Sequence, residues 1–205
     1  MTPVDGQSPD PENLTHAKAA LRRTLRERRA RYLAAMQPSA RALAFRLLPS
    51  PVIGIMAPGA TVALYHATTD EAPTAKIAAQ LDMLGFRLAL PRLDRDSGAM
   101  HFARWDREQI LVPGPFRTLQ PSAEASEARP DIIIAPLIGF DHGLNRLGQG
   151  GGYYDRAFEA HPHALRIGLA WSVQQVDSVP AEGHDLPLDL IVTEAAILER
   201  GEVER

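Results

Sequence analysis

The chain has 205 residues, 45% of them hydrophobic, and a formal net charge of -3: apolar material for one medium-sized core, and no excess of positive charge for a general polyanion-binding role. It has no cysteine, which excludes disulfides, thiolate catalysis and cysteine-ligated zinc or iron–sulfur centres. No run approaches the roughly 18 apolar residues of a membrane span, and Met1 to Glu12 is Pro-rich and acidic, without the apolar stretch of a signal peptide. The expectation is a soluble, cytoplasmic protein with no membrane partner: residues 1–12 a disordered tail, 13–198 an α/β domain, and 199–205 a charged tail.

The first element read from the sequence is a helix over 14–36. Leu21, Leu25 and Tyr32 make an apolar stripe on it, and Lys18, Arg22, Arg26 and Arg29 make an adjoining basic stripe at helical spacing. Between Lys18 and Arg31 the basic residues face Glu27 alone, so a nucleic-acid or acidic-membrane surface has to be weighed against a plain solvated face. A second helical pattern, Ser39 to Leu48, stops at Pro49, and a short apolar piece, Val52 to Met56, precedes Gly59. Thr61 to His66 reads as a strand, Pro73 to Leu84 as a helix closed by Gly85, and Phe86 to Pro91 as a strand, which makes a βαβ unit. Met100 to Trp105 alternates as an edge strand does, and 113–130 is a Pro- and Glu-rich connection.

The stretch Asp131 to Ile138 is a β-branched apolar run, as in a strand buried on both faces, and a short helix follows from Tyr154 to Glu159. Leu165 to Trp171 and Leu188 to Thr193 supply further strands. The alternation implies a single α/β domain: a mostly parallel sheet with helices on both faces, Rossmann-like and three-layered, preceded by the basic helix, with ligands at the carboxyl ends of the strands.

Between the buried strand and its helix lies Phe140-Asp-His-Gly-Leu-Asn-Arg-Leu-Gly-Gln-Gly-Gly-Gly-Tyr-Tyr-Asp-Arg156. Gly148, Gly150, Gly151 and Gly152 permit φ > 0, so successive backbone N–H groups can converge into an anion-binding nest at the positive end of the helix. Arg146 at the mouth, and Asp155 placed to meet a cation, make it chemically a site for a phosphate chain with Mg²⁺. A corner-turning loop is the plainer alternative. The string matches neither the P-loop nor the dinucleotide fingerprint. Farther on, Asp185 can return to the same rim as Asp155, and two carboxylates are the hard ligands a phosphate-bound Mg²⁺ prefers; as isolated residues both also suit turns and helix caps. Among the aromatic residues Tyr65 and Phe102 are assigned to the core, while Trp105, Phe116 and Tyr153 are candidates for stacking on a flat substrate.

The string from Asn145 to Asp155 closely resembles the nucleotide loop of the 5-formyltetrahydrofolate cyclo-ligase family, the methenyltetrahydrofolate synthetases. The resemblance extends over residues 14 to 195 and is strong again at Ile-Gly-Leu-Ala-Trp171, Val-Asp-Ser-Val-Pro180 and His-Asp-x-Pro-Leu-Asp189. It implies ATP and Mg²⁺ as cofactors, a folate as substrate, and conversion of 5-formyltetrahydrofolate to 5,10-methenyltetrahydrofolate. Carried over residue by residue, Lys18, Arg22, Arg146, Leu147, Gly148, Gln149, Gly150, Gly151, Gly152, Tyr153 and Tyr154 belong to the nucleotide, Lys18 and Arg146 being catalytic. Asp155 and Asp185 belong to the metal, and Glu71, Trp105, Phe116, Gln149 and the 150–153 segment to the folate. The remaining arginines of the first helix are left as surface. The chain departs from the pattern at Pro73, which replaces a polar position near the substrate, at Phe116-Arg-Thr-Leu-Gln-Pro121, and at Gln149 and Gly151, where some members carry Arg or Lys. These departures keep a second function open, a nucleotide- or sugar-phosphate-binding protein without folate turnover.

Overall fold

The computed structural model describes residues 11–94, 97–182 and 185–200; the expected tail segments 1–10 and 201–205, and His184, lie outside them. Helix α1 spans Pro11–Ala35, followed by two short helices, α2 (Pro38–Leu43) and α3 (Ser50–Gly54), both opened by proline in the first turn. The sheet then begins: β1 (Thr61–Ala63), α4 (Ala75–Met83), β2 (Arg87–Leu93) and β3 (Met100–Arg104). Two-residue strands β4 (Val112–Pro113) and β5 (Leu119–Gln120) pair within the connection read from the sequence as irregular. The chain continues through β6 (Ile132–Pro136), a small β7 (Gly139–Phe140)/β8 (Arg146–Leu147) hairpin, α5 (Tyr153–Ala160), β9 (Leu165–Leu169), β10 (Leu190–Val192) and β11 (Ile197–Glu199).

The main sheet has seven strands in the order β11-β10-β9-β6-β1-β2-β3. From β10 to β2 all neighbours are parallel, and the antiparallel β11 and β3 close the two edges. The alternating α/β reading holds, and β11 is the strand that the sequence reading missed. The period-2 alternation of a strand sorts the β6 side chains onto opposite faces. Ile132 and Ile134 pack into one core with Val62, Leu64, Leu88 and Leu90, Leu33 of α1, and Ile77 and Leu81 of α4. Ile133 and Ala135 pack into the other, with Ala63, Ala89, Phe102 and α5 residues Ala157 and Phe158. Small side chains on that second face let α5 lie close to the sheet.

Chain order places β1 and β6 side by side although α4, β2 and β3 intervene. The connections therefore run outward from this pair in opposite directions, and a crevice opens between their carboxyl ends, the ligand position of doubly wound sheets. The segments leaving those ends are Leu64 to Thr74 after β1 and Leu137 to Gly152 after β6. Helix α1 is held over this edge by Leu25, which packs with Ile138, Leu147 and Val179. Contact is so close that a Cβ built on Gly139 would stand 2.3 Å from Leu25 Cδ1.

Candidate active site

The glycine-rich loop is more ordered than a bare turn. Asp141, buried, accepts bonds from the Asn145 backbone N–H (3.0 Å) and from Asn145 Nδ2 (3.1 and 3.0 Å), and its Oδ2 also takes the backbone N–H of Val179 (2.9 Å). One carboxylate thus folds the β7–β8 turn and ties it to the segment after β9. Buried Gln174 adds a second tie by donating to the carbonyls of Leu137 (2.6 Å) and Ile138 (3.0 Å). The sequence reading missed this frame; the signal was an Asx-type residue four positions before Asn145. Of the four glycines expected to share positive φ, only Gly150 (105°) and Gly152 (65°) have it. Gly152 is the residue before α5, and no side chain caps that helix end.

Helix α1 turns its basic stripe onto this loop. Arg22 Nε donates to the Gly148 carbonyl at 2.8 Å, and Arg26 Nη2 to Gln149 Oε1 at 2.6 Å. Lys18 Nζ donates to Glu182 Oε2 (2.7 Å) and Asp185 Oδ2 (2.8 Å), and Arg28 Nη2 to the Gln175 carbonyl (2.6 Å). Burial pulls the Lys18 ammonium down, but hydrogen bonds and charge from Asp185 and Glu182 outweigh it and leave the pKa above its ordinary value. The assignment of the other arginines to the surface is corrected for Arg28, which is half-buried, and above all for Arg29, which is 7% exposed; Arg23, Arg26 and Arg31 are solvent-exposed as read.

Arg146 is not at the mouth. Its side chain is 5% exposed, packed 5.5 Å from the Phe158 ring centroid and 5.9 Å from that of Tyr154, and ion-paired with Asp155. Its Nε has no hydrogen-bond partner. Asp155 lies in the first turn of α5, so in the ligand-free protein the two proposed metal carboxylates are each held by a cation, Asp155 by Arg146 and Asp185 by Lys18. Both carboxylates lie within electrostatic reach of Arg22, whose pKa burial lowers while Asp155 and Asp185 raise it. No group of three or more His, Asp or Glu side chains poised for a metal occurs among the described residues. Asp155 and Asp185 are thus a sparse donor set, which suits a Mg²⁺ taking its remaining oxygens from phosphate and water.

At the carboxyl end of β1 a cavity of about 340 Å³ is lined by Tyr65, Glu71, Pro73, Thr74, Trp105 and Trp171, among others, within the size range of small-molecule pockets. Glu71 and Trp105 thus meet, as expected for substrate residues. Tyr65 is buried as read but also forms the wall, fixed by its hydroxyl to the Ala72 carbonyl (2.6 Å), while the Thr74 hydroxyl donates to the Tyr65 carbonyl (2.7 Å). Phe102 is in the core. Trp105 Nε1 is buried without a partner, an unused donor at the cavity wall. Phe116 does not reach the cavity: it is 75% exposed and meets Tyr153 edge-on at 6.2 Å. Burial raises the hydroxyl pKa of Tyr154, Glu71 raises it further and Arg146 opposes.

A doubly wound sheet with a cation-faced glycine loop at its switch point, and a cavity at the end of the adjoining strand, belongs to the α/β proteins that bind ligands at the carboxyl edge. The family model "5-formyltetrahydrofolate cyclo-ligase family" matches residues 14–194. The 5-formyltetrahydrofolate cyclo-ligase of Escherichia coli strain K12 is 32% identical over 146 residues, covering 68% of this chain and 80% of that one. The enzyme of that name from Haemophilus influenzae is 32% identical over 139 residues, covering 64% and 74%. The NMR structure of an Aquifex aeolicus 5,10-methenyltetrahydrofolate synthetase superposes with a TM-score of 0.72 at 25% identity, over 92% of this chain and 95% of that one. This chain is a member of the 5-formyltetrahydrofolate cyclo-ligase family.

Proposed function

We propose that the chain converts 5-formyltetrahydrofolate to 5,10-methenyltetrahydrofolate with ATP and Mg²⁺, releasing ADP and phosphate, in the cytoplasm. One observation carries the reading: Arg22 and Arg26 of α1 seat on the glycine loop that follows β6, and the cavity lined by Glu71 and Trp105 follows its neighbour β1, so the two open from adjacent strand ends. No described helix is long and apolar enough to cross a membrane. Because much of the stripe is engaged internally, we assign it to the small-molecule site and propose no nucleic-acid partner.

The reaction has two displacements. The formyl oxygen forms a bond to the γ-phosphorus while the bond to the bridging oxygen breaks, its electron pair leaving with ADP. N10 then forms a bond to the formyl carbon, the carbon–oxygen bond breaks with its pair leaving as phosphate, and the N10 proton goes to solvent. An amide oxygen is a poor leaving group until phosphorylated, so the protein has mainly to align the reactants and neutralise charge. Lys18 and Arg22 hold phosphate oxygens, with the amides of 148–152 and the α5 amino end around them. Arg146, buried and paired with Asp155, positions that carboxylate and lends positive charge to the loop from beneath. Asp155 and Asp185 would hold Mg²⁺, which supplies charge neutralisation between phosphate oxygens when bound. Glu71 accepts hydrogen bonds from pterin N–H groups, and Trp105 and Tyr153 contact the rings.

The test mixes the protein, 5-formyltetrahydrofolate, ATP and Mg²⁺ and follows the methenyl chromophore. Its appearance with stoichiometric ADP supports the reading. ATP binding without chromophore would favour the second reading, a nucleotide- or sugar-phosphate-binding family member, to which Pro73 in the cavity wall would then point.

A further inference from the structure

Arg29 is a buried cation without a counterpart. Its Nε and Nη1 are shielded from solvent and have no hydrogen-bond partner, and it makes no ion pair with any described carboxylate. Burial draws the guanidinium pKa down, and the charges of Glu71 and Asp70 oppose that from a distance. The Glu71 carboxylate is occupied instead with the Thr68 backbone N–H (2.9 Å). The Asp70 carbonyl takes the Trp171 indole (3.2 Å), and the Tyr65 hydroxyl donates to Ala72. An arginine that a fold carries in this state is poorly explained by stability, because a buried unpaired charge destabilises. It fits a ligand that brings the missing negative charge.

Position narrows the ligand. Arg29 continues the stripe that begins at Lys18 and Arg22, seven residues and roughly 10 Å beyond Arg22 along the helix, with Arg26 one turn nearer the loop. At Arg22 the stripe adjoins the phosphate loop. At Arg29 it lies within electrostatic reach of Glu71 and Tyr65, both walls of the cavity. Arg29, which does not itself line the cavity, thus lies buried on the stripe between Arg22 at the loop and the Glu71 side of the cavity. Given the cyclo-ligase reading, on which this inference rests, one group must occupy both compartments during turnover: the phosphoryl group passing from nucleotide to substrate.

We propose that Arg29 binds the oxygens of the transferring phosphoryl group, holding it first as the γ-phosphate of ATP and then on the formyl oxygen. The bond made and broken at phosphorus is the one already described; Arg29 gives up no proton and keeps its charge throughout. The planar N–H fork of arginine suits two oxygens of one phosphoryl group, which a lysine would meet as a point charge.

The experiment compares wild type with Arg29→Met, Arg29→Gln and Arg29→Lys. ATP and ADP are titrated separately with Mg²⁺, without folate, and the ligand-free melting temperature is measured. Wild type is expected to bind ATP at least about tenfold more tightly than ADP; in Arg29→Met and Arg29→Gln that preference collapses towards unity through loss of ATP affinity, ADP affinity staying within about twofold. Arg29→Lys keeps part of the preference. Ligand-free Arg29→Met melts at or above the wild-type temperature, since an apolar side chain replaces an unpaired buried charge. The proposal is overturned if wild type does not distinguish ATP from ADP, if the Arg29 variants retain the wild-type ratio, or if ATP and ADP affinities fall together. A parallel chromophore assay on wild type separates the two claims. No turnover with the ATP preference lost in the variants removes the cyclo-ligase reading and leaves Arg29 as a terminal-phosphate ligand, whereas turnover with the preference retained removes Arg29 alone.

Discussion

Substituting Asp155 by Asn separates a metal ligand from a structural carboxylate. The residue before α5 is Gly152, which makes Asp155 the third residue of the helix rather than its cap, and the usual near-equivalence of Asn and Asp as caps does not apply. Two effects are expected in the ligand-free protein. The carboxylate at the helix start loses its interaction with the dipole, about 0.3–1 kcal/mol. Arg146, only 5% exposed, loses its ion-pair partner, but Asp155 is 28% exposed, so the several kcal/mol seen for fully buried pairs shrinks to roughly 1–2 kcal/mol. At roughly 2–4 °C per kcal/mol for a chain of this size, the melting temperature should drop by about 3–12 °C. Turnover carries the decisive signal. If Asp155 is one of the few protein ligands of a phosphate-bound Mg²⁺, the amide raises the Mg²⁺ needed for half-maximal turnover by about tenfold or more, equal to about 1.4 kcal/mol of lost binding per decade. Asp185→Asn, which leaves Lys18 its second partner Glu182, should shift the Mg²⁺ curve alike with a smaller change in melting temperature. A lowered melting point with wild-type Mg²⁺ dependence would leave Asp155 a partner of Arg146 and nothing more.

Gly150→Ala forces a Cβ onto a residue at φ 105°, where it would stand 3.3 Å from Arg22 Cζ. Strain of about 1–3 kcal/mol and a weaker grip on nucleotide are expected, whereas Gly54→Ala, with nothing within 4 Å of its Cβ, is the neutral control by calorimetry. Equal behaviour of the two variants would remove the conformational argument for the loop. His161 closes α5, with burial and then Arg129 lowering its pKa below 6.5 while Glu127 opposes. A histidine whose folded pKa is depressed contributes stability that is complete above 6.5 and is lost as pH falls, because the unfolded chain takes up the proton first. Stability should therefore decline between pH 7 and pH 5 less steeply in His161→Gln than in wild type; identical slopes from denaturant titrations would contradict this.

Much of the sheet was legible because its signals are local. The run Ile132 to Ile134 alternates between two cores and is apolar at every position, as a strand covered on both faces requires. Thr61 to His66 was read too long: the strand ends at Ala63, the Leu64 N–H still reaches the Ala89 carbonyl (2.9 Å), and Tyr65 and His66 turn away to line the cavity. The β11 strand escaped because three residues beside a charged end carry no periodicity, and what makes Ile197 to Glu199 a strand is the neighbouring Leu190 to Val192. The Asp141 brace escaped because its partners, Asn145 and the Val179 backbone, include one 38 residues away.

The misreading of Arg29 has a different origin, and it was avoidable. On an α-helix, residues four apart share a face. Leu25, Arg29 and Leu33 form one such line, and Leu25 and Leu33 are core residues at 1% and 5% exposure. A side chain midway between two core anchors has no route to solvent except its own length, so extending the stripe of Leu21, Leu25 and Tyr32 to Leu33 would have placed Arg29 inside. Counting charge favoured the surface, because arginines are rarely buried unpaired; face geometry opposed it, and geometry prevailed because Leu25 against Gly139 fixes the rotation of α1. That same contact brings Arg22 onto Gly148. The packing that stabilises the helix therefore also aims its cations, and enlarging Gly139 would disturb the fold and the phosphate site through one displacement.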